Sequence, residues 1–184
     1  MKLIVGLGNP GKEYEKTRHN VGFLAIDHYI ETNNLGNYSK HQFGEYIKCQ
    51  EKGAIFAKPT TYMNLSGTFV CYLAGYFKIN VSDIFVIYDD ISFEIGKFKL
   101  KQNGTSGGHN GIDDIIKNFK TTEIKRLKIG IYSPHQSSMK HFVLSKFRND
   151  ELEKLQKLFE TTDRIIESFL AKDFTKIQNE FNSK

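Results

Sequence analysis

Near its N-terminus the chain passes from a short apolar run, Leu3-Ile4-Val5, into a glycine-rich turn, Gly6-Leu7-Gly8-Asn9-Pro10-Gly11, and then reaches the polar cluster Thr17-Arg18-His19-Asn20. That order sets an Asn, a Tyr, an Arg and a His on loops beside the end of a buried strand. Open α/β sheets bind their ligands at such strand ends. Gly6 to Gly11 also fits the dinucleotide-binding pattern GxGxxG, but its context does not. The fingerprint should open a helix at once, so that a pyrophosphate meets the helix N-terminus. Here Pro10-Gly11 leads into Lys12-Glu13-Tyr14-Glu15-Lys16, which has no apolar periodicity. An acidic residue should also end a second strand about 20 residues further on; Asp27 and Glu31 fall in a helical stretch instead. The glycines therefore read as a tight turn that exposes Asn9.

Strand and helix patterns alternate after this turn. Strand-like runs cover Lys2 to Leu7, Gly44 to Gln50, Ala54 to Lys58, Ile84 to Tyr88, Lys97 to Lys101 and Leu127 to Tyr132. Ile84-Phe85-Val86-Ile87 is a continuous apolar run, as in a central strand buried on both faces. Helix-like runs begin near Asn20, Asn64, Asn110 and Asn149, and Asp173 can cap a final short helix. Lys52-Gly53 joins two of the strand-like runs as a hairpin. The pattern predicts an α/β fold: a single three-layer α/β/α domain over 1–184 with a mixed, mostly parallel central sheet, ending in helices over about 150–182. Asn favours helix N-caps, because its side chain accepts a bond from an unpaired backbone N–H. Capping is thus the plain reading of Asn20, and a less complete one for Asn64 and Asn110.

Composition narrows the class. No apolar stretch approaches the roughly 18 residues of a membrane span, and the N-terminus lacks a secretory pattern. Cys49 and Cys71 show no CxxC spacing, which fits a reduced, cytoplasmic protein without a disulfide. The net charge of +5 permits a polyanionic partner. Lys97, Lys99 and Lys101 would share one face of a strand, and Lys117, Lys120, Lys125, Arg126 and Lys128 follow. On charge alone a solvated basic face explains them. No long exposed apolar face is evident, so a monomer is expected.

Four polar clusters follow strand-like runs: the N-terminal one, Lys58 to Gly67, Tyr88-Asp89-Asp90, and Gly104 to Gly111. Loops at strand ends can bring Asn9, His19, Asn64, Asp89 and Asn110 to one rim. His19 is the natural general base, since its ordinary pKa lets it take a proton from water near neutrality. A carboxylate beside it would fix its tautomer and stabilise the imidazolium. Asp89 is the candidate, as the first polar residue past the strand, with Asp90 the rival. His109 sits in the glycine loop, where supporting the fold would suffice to explain it. There is no GxSxG elbow and no metal-ligand spacing, so water activation is favoured over a covalent nucleophile or a metal.

GLGNPGKEYEKTRHNVGF, KPTTYMNLSG and GTSGGHNGIDDI, in that order and with YDD between the last two, closely resemble bacterial-type peptidyl-tRNA hydrolase. The resemblance spans essentially the whole chain, FVLSKF and the C-terminal helix included. It implies an esterase of translation, without cofactor or metal, that cleaves the bond between an N-blocked peptide and the 3′-terminal ribose of tRNA. His19 would activate water, Asp89 would hold it, and Asn9 would contact the peptide main chain. Tyr14, Tyr62, Asn64, His109 and Asn110 would line the site for the peptide and terminal adenosine, with Met63 packed beneath. Lys101 and Lys128 would clamp the tRNA 5′-phosphate; Lys128 stands where the family usually has Arg. Ser92 stands where an acidic residue is usual, and the proline before Gly96 is missing. A non-catalytic RNA-binding protein and a nucleotide-dependent oxidoreductase are the alternatives.

Overall fold

The computed structural model describes residues 1–135 and 137–182. The strands are β1 (Lys2–Gly6), β2 (Ser39–His41), β3 (Gly44–Cys49), β4 (Ala54–Pro59), β5 (Ile84–Glu94), β6 (Phe98–Lys101) and β7 (Lys125–Tyr132). The helices are α1 (Val21–Thr32), α2 (Ser66–Tyr76), α3 (Asn110–Phe119), α4 (Met139–Val143), α5 (Asn149–Ala171) and α6 (Phe174–Asn182). All strands join one sheet in the order β2-β3-β4-β1-β5-β7-β6. Its centre, β4, β1, β5 and β7, is parallel. The flanking pairs are antiparallel, so the sheet is mixed as expected.

Period-2 alternation divides the core into two clusters. Ile4, Phe85 and Ile87 pack with α1, α5 and α6 on one face. Leu3, Val5, Val86 and Tyr88 pack with α2 and α3 on the other. Because both faces are covered, the central strands must be apolar throughout. Asp173 does cap α6, accepting the Thr175 N–H at 3.0 Å. Neither β2 nor α4 stood out in the sequence; three polar residues and one helical turn carry too little periodicity.

Parallel strands point their carboxyl ends the same way, so the loops after β1 and β4 and the upper part of β5 meet at one rim. Close approach of α1 to that rim depends on Gly22. A Cβ there would lie 2.3 Å from the Ile87 carbonyl oxygen and 2.6 Å from the Leu7 nitrogen. Both are backbone atoms that cannot swing away. Gly22→Ala should therefore cost roughly 1–3 kcal/mol, as overpacking does. A urea midpoint equal to wild type would show that α1 can retreat and that its close seat is not required.

Candidate active site

His19 lies on a 3-10 turn, Arg18–Asn20, immediately before α1. Its Nδ1 is 2.9 Å from each carboxylate oxygen of Asp89. Asp89 is buried, and one of its oxygens also lies 2.8 Å from His109 Nε2. One carboxylate is thus shared by two imidazoles whose ring centres are 5.0 Å apart.

The bonds settle both tautomers. His109 Nδ1 accepts the Ile112 backbone N–H at 3.3 Å, capping α3. A nitrogen that accepts carries no proton, so His109 Nε2–H is the donor to Asp89. Asp89 accepts from His19 Nδ1–H in the same way, which leaves the His19 Nε2 lone pair free. Burial pulls the His19 pKa down, but the charge of Asp89 and its hydrogen bond outweigh this, and the net shift is upward. Burial disfavours the Asp89 carboxylate, yet the two histidines hold its pKa well below the usual range.

Asn9 is fixed from two sides. Its backbone N–H donates to Asn20 Oδ1 at 2.8 Å, and Asn20 Nδ2 donates back to the Asn9 carbonyl at 2.9 Å. Its side-chain Oδ1 accepts the Met63 N–H at 2.8 Å. No buried side-chain N or O among the described residues lacks a partner, so Asn9 Nδ2, which donates to no protein group, faces solvent. The outcome is one aimed amide donor. Asn20 therefore does not cap α1 with its side chain, as sequence suggested; it clamps the Asn9 peptide.

Tyr62 adopts φ 63°, ψ 160°, a region that is essentially glycine's, at a cost of roughly 1–3 kcal/mol. Its ring is more than half exposed and meets the Tyr14 ring edge-on at 6.5 Å. Met63 is buried beside them, and Asn64 and Asn110 are exposed at the same rim. Neither of these asparagines is a helix N-cap: Leu65 and His109 hold those positions. A groove of about 570 Å³ begins at Asn9 and runs past Phe23 to Lys58. Lys58 is ion-paired there with Asp27 at 2.7 Å and Glu45 at 3.1 Å.

On the basic edge, Lys99 stands opposite Lys128 and Lys101 opposite Arg126 across β6 and β7. Lys128 is engaged, since its ammonium pairs with Asp90. Asp90 also accepts from the Ser92 N–H at 2.7 Å and hydroxyl at 2.5 Å. Burial would raise the Asp90 pKa, but the Lys128 and Ser92 bonds lower it. Asp90 thus serves Lys128, and Asp89 serves His19. Both lie within β5, which continues to Glu94 rather than ending at Tyr88 as the apolar run suggested. Polar residues hid the strand's second half.

Sequence reasoning placed His109 in the site without its bond to Asp89, and gave no site role to Arg18 or Arg126. His109 proves to be a direct partner of Asp89. Arg18, buried beside His19, pairs with Glu151 far along the chain. Arg126 is buried beneath the glycine loop. A polar residue between functional neighbours was the available signal for Arg18; nothing local marks Glu151. Among the described residues, His19, Asp89 and His109 form the one group whose atoms could hold a metal ion. Their mutual hydrogen bonds already account for that proximity.

The family model described as peptidyl-tRNA hydrolase matches residues 3–184. A peptidyl-tRNA hydrolase of Lactobacillus johnsonii is 44% identical over 186 residues, covering 99% of this chain and 100% of the relative. One from Mycoplasmoides gallisepticum is 46% identical over 185 residues, with the same coverage. Among solved structures, peptidyl-tRNA hydrolase from Acinetobacter baumannii superposes with a TM-score of 0.91 at 28% identity, covering 100% of this chain and 95% of that one.

Proposed function

Because the chain belongs to the peptidyl-tRNA hydrolase family, we propose that His19 is the general base of its ester hydrolysis. The free His19 Nε2 takes a proton from water. The resulting hydroxide attacks the carbonyl carbon of the ester that links peptide to the 3′-terminal ribose. Asp89 stabilises the imidazolium through Nδ1–H. Nε2–H then returns the proton to the departing ribose oxygen, so that peptide acid and free tRNA leave. The observation that carries this reading is the seating of both Asp89 oxygens on His19 Nδ1, which leaves the other ring nitrogen open.

Asn9 Nδ2 supplies a fixed donor for the peptide carbonyl and for the developing oxyanion. Asn64 and Asn110 add amide groups at the rim. Tyr14 and Tyr62 offer ring surface for the terminal base or the peptide, over Met63. Lys101, with Lys128 once released from Asp90, meets the tRNA 5′-phosphate. The enzyme works as a one-domain monomer in the cytoplasm. Supporting this, both core clusters flank a single sheet, and large exposed apolar side chains are scattered. No helix among the described residues is long and apolar enough to cross a membrane.

The test is release of N-acetyl-amino acid from N-acetylaminoacyl-tRNA, in EDTA, with unblocked aminoacyl-tRNA as control. Cleavage of the blocked substrate alone, undiminished by EDTA, is expected. Folded protein that binds tRNA without cleaving it would overturn the reading in favour of an RNA-binding protein.

A further inference from the structure

The loop between β6 and α3 covers a buried cation, carried on β7, that the mechanism does not use. Arg126 is 1% exposed. Its guanidinium makes no ion pair with a carboxylate among the described residues. It donates instead to backbone carbonyls: Ile124 at 3.2 Å, Thr105 at 2.7 Å, Thr122 at 3.3 Å, and Gly104. The positive charge inside is solvated by peptide dipoles.

A consequence for the loop follows from peptide planarity. In a trans peptide the N–H points opposite to the C=O. The Gly104 and Thr105 carbonyls both face Arg126, so the N–H groups of Thr105 and Ser106 both face away from it. Neither N–H donates to any protein acceptor. Gly107 N–H, next along, is equally unbonded, while Gly108 and His109 donate to the Ser106 hydroxyl and carbonyl. Glycines at φ 132° (Gly104) and φ 59° (Gly107) let the backbone hold this shape. Successive unbonded amides on one side of a loop form an anion-binding nest. Here the buried guanidinium reinforces their polarity from behind. Lys101 Nζ stands beside it, 3.7 Å from where a Gly104 Cβ would lie, with no carboxylate partner among the described residues. The same loop ends at His109, on the catalytic carboxylate.

We propose that the Thr105 and Ser106 amides, backed by Arg126 and flanked by Lys101, bind a backbone phosphate of the tRNA substrate. This rests on the peptidyl-tRNA reading above. Arg126 acts here as a positioning residue: it aims the amides and touches no ligand. An RNA phosphate fits better than a small carboxylate, because Lys101 at the end of β6 adds a second cation beside the amides, which suits a polyanion.

The experiment uses uniformly 15N-labelled protein, titrated with an acceptor-stem RNA hairpin carrying the 3′ single strand, and separately with inorganic phosphate. Thr105 and Ser106 amide protons should move downfield and saturate with the RNA, and inorganic phosphate should move the same two signals weakly. Thr105→Pro removes one N–H that has no protein partner while keeping the carbonyl on Arg126. On N-acetylaminoacyl-tRNA it should raise KM on the order of tenfold, the worth of one charge-assisted hydrogen bond, with kcat unchanged. A hairpin that binds while both amide signals stay still, to a protein that cleaves N-acetylaminoacyl-tRNA, would overturn the nest and leave the hydrolase reading intact. RNA that does not bind at all would overturn both.

Discussion

His19→Ala should lower kcat by about 10²–10⁴-fold, the usual worth of a positioned base, with KM for peptidyl-tRNA little changed. Wild-type kcat/KM should also fall on acidification, because only the neutral imidazole can accept a proton. Burial alone would place that midpoint below the ordinary histidine value, since it disfavours the cation. Asp89 reverses the sign and lifts it above. The loss on acidification should therefore begin at a higher pH than for a free histidine. Asp89→Asn removes the charge and leaves the burial, so the acid limb should shift to lower pH. Activity at neutral pH should nevertheless drop, because the amide can present its NH2 to Nδ1 and select the wrong tautomer. His109→Ala is the companion measurement: with one of two donors to Asp89 gone, the limb should move less than in Asp89→Asn. An acid limb identical in wild type and Asp89→Asn would sink the assignment of Asp89 as the group that tunes His19.

These expectations show how far the sequence could be read. The central sheet was legible because buried parallel strands leave unbroken apolar runs, such as Ile84 to Ile87. Asn9 and Asp89 stood out as polar residues just past such runs, and His19 as part of a polar cluster just before a helix-like stretch. Three things were not. β5 continues through Asp89 and Asp90 to Glu94, where polar side chains conceal the strand period. Asn20 has the composition of a cap yet spends both side-chain groups on the Asn9 peptide, a choice decided by tertiary contact. Lys128 reads as a free cation, but it stands opposite Tyr88 in the β5–β7 register and pairs diagonally with Asp90, and register is not visible in composition. Local pattern thus located the candidate site, while long-range pairing decided which of its polar atoms remain unpaired within the protein.

Long-range pairing also sets the largest stability effect expected here. The turn that carries His19 is tied to the C-terminal half of the chain by Arg18. Its guanidinium lies 2.8 Å from Glu151, donates to the Ile131 carbonyl at 3.2 Å and to Ser145 Oγ at 3.1 Å, and stacks near Phe142 and Phe147. Arg18 and Glu151 are 4% and 2% exposed. Removing one partner of a buried pair strands the other charge, at a cost of about 3–5 kcal/mol. The two halves are not equivalent, however. Glu151 has a second cation, Arg148 at 3.1 Å, and also accepts the Arg148 backbone N–H at 3.1 Å as part of the α5 capping box. Arg18 has no second carboxylate among the described residues. Glu151→Leu should therefore fall in the upper part of that range, lowering Tm by roughly 10 °C or more for a domain of this size. Arg18→Met should cost less, because Glu151 keeps Arg148. The double variant should be more stable than Glu151→Leu alone, since the stranded guanidinium is gone and two apolar side chains can fill its place between the phenylalanines. Calorimetry on the three variants decides it. A Glu151→Leu protein within about 1 kcal/mol of wild type, the value of an exposed pair, would mean that solvent reaches Arg18 and that the turn under His19 is held by its backbone contacts instead.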